Sequence, residues 1–502
     1  MQIGQLLIAA GLVSADDVRE ALRRQSLGGG LLGENLIGLG AIDAPALARF
    51  LTRMPMAPAN VAETGLSETD LLNLVLKLIH TQALDRAPAL ADAMCLPQVV
   101  VQELIRMAVA RSLLAPATQD MMPSIRAASG RGDPGSSADI RYALSERGRN
   151  WALEALALSQ YVGPAPVALE TYKERVRQQR ITSEAVTRDT IQKAFSDLVI
   201  PDAFVAQIGP AVNSGRAILM YGPPGNGKTS VALRLRHVFA DTVYVPHGVM
   251  IDGRVMRVFD PAMHRPLPVI QDGPAAITGI RQNGADARWV ACERPFIIVG
   301  GELTLDQLDL RYDGTSNFYE APLHVKAFGG CLVIDDFGRQ SVAPGALLNR
   351  WIVPLENRVD FLKLHTGKSF ELPFECLVIF STNLEPGDLM DQAFLRRIPY
   401  KLEVPGPTRA AYRTIFDAVC RKADLSIDEA TFTYIVTELT ERRGMPLANY
   451  QPGFLMDQII SFCRFLRCPP GFDRHMLDYA IGNLCVAEPS RPIHERTAAL
   501  AA

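Results

Sequence analysis

The sequence predicts a multidomain chain. Its largest part is an α/β core on a parallel sheet with a helical lid after it. A small helical repeat domain and an α+β domain of three helices and two strands precede that core. Three observations carry this expectation. Apolar runs at 217–221, 331–334 and 377–380 each stop abruptly at glycine or polar residues, the pattern of parallel strands buried on both faces. The first 53 residues repeat themselves at a fixed offset. Between these parts lie three helical periodicities followed by two short strand-like segments.

Composition narrows the function classes. A chain of 502 residues is long for one domain. The formal net charge of −3 gives no global attraction to nucleic acid or to an anionic membrane. Eight cysteines are scattered singly, and the closest pair, Cys463 and Cys468, falls in an apolar helical stretch. None has metal-ligand spacing, so they read as reduced core thiols of a cytoplasmic protein. The apolar start at 6–13 has no basic flank and is followed by Asp16 and Asp17, which argues against a signal peptide. No run approaches the roughly 20 apolar residues of a membrane span, so no membrane insertion is expected.

Residues 1–53 form the repeat domain. Gly4 recurs as Gly33 and Gly11 as Gly40, an offset of 29 in both cases (33 − 4 and 40 − 11). Ile3/Leu32, Leu7/Leu36, Ile8/Ile37, Val13/Ile42, Val18/Leu47 and Leu22/Leu51 keep the same spacing. Each copy reads as a short helix, a glycine turn and a second amphipathic helix. Gly28, Gly30 and Gly33 also spell Gly-x-Gly-x-x-Gly, but no strand precedes them, so they read as a joint between copies.

Residues 54–67, rich in proline, alanine and asparagine, read as a linker. The α+β domain, 68–160, has helical patterns at 71–82, 87–94 and 97–111, a strand at 113–116, a polar Gly/Ser-rich stretch through Ala138, a strand at 140–144 and a last helix from Ser145. This order resembles a winged helix. Its third helix offers Gln98, Gln102, Glu103, Arg106 and Arg111, a mixed face rather than a basic one. That argues against nucleic acid and for protein docking. Residues 161–185 read as a second linker, 186–405 as the core, 406–486 as the lid and 487–502 as a disordered tail.

The core carries the chemistry. The run 217–221 leads directly into Gly222-Pro223-Pro224-Gly225-Asn226-Gly227-Lys228-Thr229-Ser230, and a helical periodicity follows to 239. Strand, glycine loop and helix are what a P-loop needs: backbone N–H groups wrap phosphate oxygens, and the helix start adds its dipole. Lys228 is placed to reach the β- and γ-phosphates of ATP, and the Thr229 hydroxyl to ligate Mg²⁺. The run 331–334 ends in Asp335-Asp336. Asp335 is placed to hold the Mg²⁺ shell and Asp336 to polarise the attacking water; two carboxylates capping a strand are the alternative. The run 377–380 ends in Ser381-Thr382-Asn383, where an amide orients that water. Residues 391–398 end a helix in Arg396 and Arg397. These are either a solvated helix end or an arginine finger offered to a neighbouring subunit.

Together Gly-x-x-x-x-Gly-Lys-Thr, the Asp-Asp strand, Ser-Thr-Asn and Phe-Leu-Arg-Arg resemble the Walker A, Walker B, sensor 1 and arginine-finger elements of AAA+ ATPases. The resemblance covers about 195–484. It implies ATP and Mg²⁺ as cofactors, ATP hydrolysis, and a homo-oligomer, usually a hexameric ring, with sites at subunit interfaces. Three features depart from the pattern. Asp336 stands where the family usually has Glu. The lid helix, beginning near Gly453, has no sensor 2 arginine. Lys228 and Asp335 are 107 residues apart (335 − 228), which implies a β-rich insertion at about 250–326, where Tyr312, Phe318 and Tyr319 are either pore aromatics or core.

The 29-residue repeat resembles the N-terminal domain of type II secretion and type IV pilus assembly ATPases, some of which bind cyclic di-GMP. Gly4, Gly11, Leu12, Val18, Leu22, Gln25, Leu32, Gly33, Gly40 and Leu47 match. Gln2 and Leu31 replace the arginine opening each copy, so a docking module with weak or absent cyclic di-GMP binding is expected. Remodelling or assembly of a protein partner, such as a pilus or secretion apparatus, is the leading reading. An ATP-switched winged-helix regulator and a slow-turnover signalling adaptor are the rivals.

Overall fold

The computed structural model describes residues 4, 7–8, 11–117, 140–183, 185–239, 241–267, 284–389 and 392–484. Gln2, Ile3, the polar stretch through Ala138, Asp391 and the tail 487–502 lie outside them.

The repeat domain keeps its offset in three dimensions. Helices span Ala15–Gly28, Leu32–Gly38 and Ala44–Arg53. A Cβ on Gly4 would come 2.7 Å from the Val18 side chain, and one on Gly33 would come 2.7 Å from that of Leu47. Each contact therefore repeats its counterpart 29 residues on. Gly11 and Gly40 turn the chain at φ 66° and 71°, where a side chain is strained. Ser14 and Asp43 then cap the next helices, accepting from the Asp17 and Ala46 amides.

The α+β domain has helices Glu68–Gln82, Ala87–Met94 and Gln98–Ala110, an antiparallel ribbon of β1 (Leu114–Pro116) and β2 (Tyr142–Leu144), and a closing helix Glu146–Leu158. Leu71, Val75, Leu90, Val101 and Leu104 fill its core. Among the described residues no single helix is long and apolar enough to cross a membrane.

Both expected linkers are instead packed. In 54–67, Met54, Val61 and Thr64 are buried, and Met56 bridges to Ala285. In 161–185, β3 (Val167–Ala168) leads into a helix, Leu169–Gln178, that buries Tyr172 and Val176. The guanidinium of Arg288, a buried residue, joins the two segments by donating to the carbonyls of Thr64 (3.0 Å) and Pro166 (3.3 Å), with Asp286 as counter-ion. Proline-rich composition marks irregular backbone, not exposed backbone. Tyr172 and Val176, four residues apart, make one buried helix stripe that charged neighbours disguise.

The core strands follow in chain order. They are β4 (Ile218–Tyr221), β5 (Thr242–Pro246), β6 (Gly248–Ile251), β7 (Arg254–Arg257), β8 (Trp289–Glu293) and β9 (Phe296–Val299). Next come β10 (Arg311–Asp313), β11 (Phe318–Glu320), β12 (Cys331–Ile334), β13 (Val359–Lys363), β14 (Ser369–Pro373), β15 (Leu377–Thr382) and β16 (Tyr400–Glu403). A five-stranded sheet of order β16-β4-β15-β12-β9, parallel throughout, forms the α/β core. A second sheet, β10-β11-β7-β6-β3, lies beside it.

The expected single insertion at 250–326 is thereby corrected. β9, inside that range, is the edge strand of the core sheet, while β7, β10 and β11 belong to the second sheet with β3 from the supposed linker. Alternation identifies a strand but not its partner. Within the second sheet Tyr319 is 1% exposed, Tyr312 stacks on His365 and Phe318 packs edge-on against Tyr161, as core aromatics do. The helix after the glycine loop, expected to reach 239, runs Lys228–Leu235 and tightens into a 3₁₀ turn, Arg236–Val238.

Helices Arg409–Lys422, Glu429–Thr437, Gln451–Leu466 and Arg474–Leu484 form the lid. Tyr412, Phe416, Phe432, Leu455 and Ile459 give it a core of its own.

Candidate nucleotide-binding site

The glycine loop leaves the C-terminal end of β4, an interior strand of the core sheet between β16 and β15. Gly222 (φ 137°) lies so close to β16 that a Cβ would sit 2.5 Å from the Val404 carbonyl. Gly225 (φ 79°) lies under the Tyr450 ring, 2.3 Å from where a Cβ would be. Gly227, at φ 87°, starts the helix. Among the described residues no protein acceptor takes the amides of Asn226, Gly227, Lys228 and Thr229. Four N–H donors left without a protein acceptor at a helix start suit phosphate oxygens.

Three strand ends meet at Lys228. Its Nζ, on a side chain 6% exposed, donates to the carbonyls of Gly222 (2.7 Å) and Pro223 (2.9 Å) and to Asn383 Oδ1 (2.6 Å). The Asn383 amide, just beyond β15, donates in turn to Asp336 Oδ1 at 3.0 Å. Desolvation holds the Lys228 pKa below the ordinary lysine value, and the carboxylates of Asp335 and Asp336 oppose that shift. The Thr229 hydroxyl donates to Asp335 Oδ2 at 2.8 Å. A hydroxyl and a carboxylate side by side are hard oxygen donors, the kind of set Mg²⁺ takes. Asp335 Oδ1 accepts from the Asp336 amide at 3.1 Å. Pro224 and Ser230 lie on the exposed side of the loop and of the helix's first turn.

The lid reaches this loop. Asn449 Nδ2 donates to the Asn226 carbonyl (2.8 Å), and the Tyr450 amide to that of Gly225 (3.1 Å). Neither Asn449 nor Tyr450 was expected from sequence. They sit just before the lid helix, which begins at Gln451 rather than near Gly453. The Gln340 side chain, also unexpected, donates to the carbonyls of both Asp335 (2.9 Å) and Asp336 (3.2 Å).

Arg396 and Arg397 lie elsewhere. The helix before them is a single turn, Gln392–Leu395. They precede β16, which pairs with β4 from Ile218↔Tyr400 to Tyr221↔Glu403. They are thus at the N-terminal end of the sheet, and the glycine loop is at the other, about 10 Å of strand away at roughly 3.3 Å per residue. Arg396 is exposed, whereas Arg397 Nε donates to Glu356 Oε1 at 2.6 Å. With Arg216 and Leu355 they line an open groove of about 410 Å³.

A domain of unknown function (DUF8689) matches residues 408–483, the lid. A vesicle-fusing ATPase of Dictyostelium discoideum is 36% identical over 75 residues, 15% of this chain and 8% of that protein. The chain therefore spans less than a tenth of the length of this curated relative. Among solved structures, NtrX of Brucella abortus aligns over 66% of this chain and 63% of its own at 14% identity and a TM-score of 0.35. The RuvB Holliday junction branch migration motor of Thermotoga maritima aligns over 66% and 76% at 15% identity and a TM-score of 0.29. At these scores neither adds to what the strand order establishes.

Proposed function

We propose that this chain is an AAA+ ATPase that couples ATP binding and hydrolysis to remodelling or assembly of a protein partner. The observation that carries the reading is the hydrogen-bonded path Lys228–Asn383–Asp336, which joins three motifs distant in sequence at one end of one sheet. On this reading the amides of residues 226–229 bind the phosphates, and Lys228 leaves its carbonyl and amide partners for the terminal phosphate oxygens. Thr229 and Asp335 would hold Mg²⁺, which would supply positive charge beside the phosphates. Asp336 accepts a hydrogen bond from the attacking water, and Asn383 orients that water. The lid loop Asn449–Tyr450 covers the glycine loop and restricts bulk water.

The groove arginines are too far from their own glycine loop to serve it. They fit a role in trans, at the phosphates of the next copy in a ring. The exposure of Arg396 supports such a ring, and the repeat and α+β domains then serve as docking modules for the client, with a pilus or secretion assembly as the leading candidate. A DNA-reading role for the helix Gln98–Ala110 is disfavoured. Of the residues that would face DNA, Glu103 accepts from the Val61 amide and Arg111 pairs with Glu68 at 2.6 Å.

Asp336→Asn tests the reading, because an amide cannot take up a proton from the water. The expected result is ATP affinity close to wild type by calorimetry with phosphate release lost. Wild-type turnover in this variant would remove Asp336 from the chemistry.

A further inference from the structure

We infer that Gln340 is a positioning residue for the proposed hydrolysis, holding Asp336 in the conformation that lets an aspartate do the work of the longer acid. The inference rests on the ATPase reading above.

The turn after β12 is built around this side chain. Gln340 Nε2 donates to the carbonyls of Asp335 (2.9 Å) and Asp336 (3.2 Å), and its Oε1 accepts from the Gly338 amide (2.8 Å). One amide group therefore closes the turn from inside by three bonds. The turn is also tied to β15: the Phe337 amide donates to the Ser381 carbonyl at 2.7 Å, and the Thr382 hydroxyl to that of Phe337 at 2.7 Å. Asp336 lies between these anchors with φ 49°, in the left-handed region. That region disfavours side chains in general but tolerates Asp and Asn, whose short polar groups bond locally. The conformation aims the Asp336 carboxylate at Asn383 Nδ2, 3.0 Å away. Gln340 touches no reacting atom. It acts through the backbone on either side of the carboxylate.

The arrangement predicts what lengthening the acid does. Glutamate gains reach, but it meets a left-handed backbone and overshoots Asn383. Asp336→Glu should therefore slow hydrolysis rather than speed it.

The test compares full-length wild type, Gln340→Ala, Gln340→Glu, Asp336→Glu and the Gln340→Ala/Asp336→Glu double variant. Affinity for a non-hydrolysable ATP analogue is measured by calorimetry, kcat by phosphate release, and folding by thermal midpoint. Gln340→Ala should lower kcat by about 10–100-fold, the scale of an ångström's misplacement of a reacting group, and leave analogue affinity within about twofold. Gln340→Glu keeps the size but loses both N–H donors, and should fall as far. The double variant should be no slower than the slower single variant, because both changes act on one carboxylate. A kcat for Gln340→Ala within about twofold of wild type, or losses that multiply in the double variant, would overturn the assignment and leave the ATPase reading standing. Wild-type protein that binds no analogue would sink the ATPase reading itself, and this assignment with it.

Discussion

The two ends of the core sheet are built differently. At the C-terminal end, side chains from three strand ends and the lid are bonded to one another: Lys228 to Asn383, Asn383 to Asp336, Thr229 to Asp335, Asn449 to the glycine loop. At the N-terminal end, Arg216, Arg396 and Arg397 line an open groove, and Glu356 is the acid among the residues lining it. An exposed guanidinium such as that of Arg396 gains from a phosphate brought near it. On the reading proposed above, the first end is the one that cradles a nucleotide. On the same reading the second end offers the exposed Arg396 to a phosphate of another copy. If that reading holds, a site and its complement sit at opposite ends of one sheet, which suits the proposed head-to-tail ring.

The change expected to act most strongly breaks the first end. Lys228→Ala removes a cation bonded to two carbonyls and an amide and leaves no other lysine on the glycine loop. Turnover should vanish and ATP affinity fall by about 100-fold, since a hydrogen bond to a charged group contributes about 1.5–3 kcal/mol. Unchanged affinity by calorimetry would refute the site. Arg396→Ala comes next and attacks only the second end. It should leave ATP binding intact and reduce turnover by about 10³-fold, the usual worth of an arginine finger. Mixing it with Asp336→Asn protomers should restore part of the activity, because each kind supplies what the other lacks. No recovery on mixing would break the contrast between a self-contained end and a shared one.

Much of this was legible in the sequence, for a physical reason. Chemistry at a strand end is local: the apolar run of 331–334 fixes β12, and the next residues must emerge where the strand stops. Asp335, Asp336, Asn383 and the glycine loop were therefore placed by counting. What the sequence hid was partnership. The β9 run reads as a strand, but nothing local says that it pairs with β12 rather than with β8. Asn449 meets Asn226 across 223 residues, and the Gln340 side chain folds back on a turn that a pattern of apolar residues cannot display. The supposed linkers failed in the same way, because Tyr172 and Val176 are buried by sheets built from other parts of the chain.

The smallest expected effect concerns Glu356. Its carboxylate takes Arg397 Nε at 2.6 Å, with the two side chains 45% and 25% exposed. A pair this open to solvent contributes about 0–1 kcal/mol, so its loss can change a rate by only a few-fold. Arg397 keeps a second support in the Phe394 ring, 5.7 Å from its guanidinium carbon. Glu356→Gln preserves the shape and removes the charge. If the pair braces the turn that carries Arg396, turnover should fall by about twofold with ATP affinity unchanged. If Glu356 instead restrains Arg397 from reaching the neighbouring copy, turnover should rise, and Arg397 joins Arg396 as a second finger. The exposure of Arg396 and the anchoring of Arg397 favour the fall. A change of tenfold or more in either direction, measured as phosphate released per protomer at saturating ATP, exceeds what one half-exposed pair can supply and would mean that the groove is organised by Glu356 rather than by its arginines.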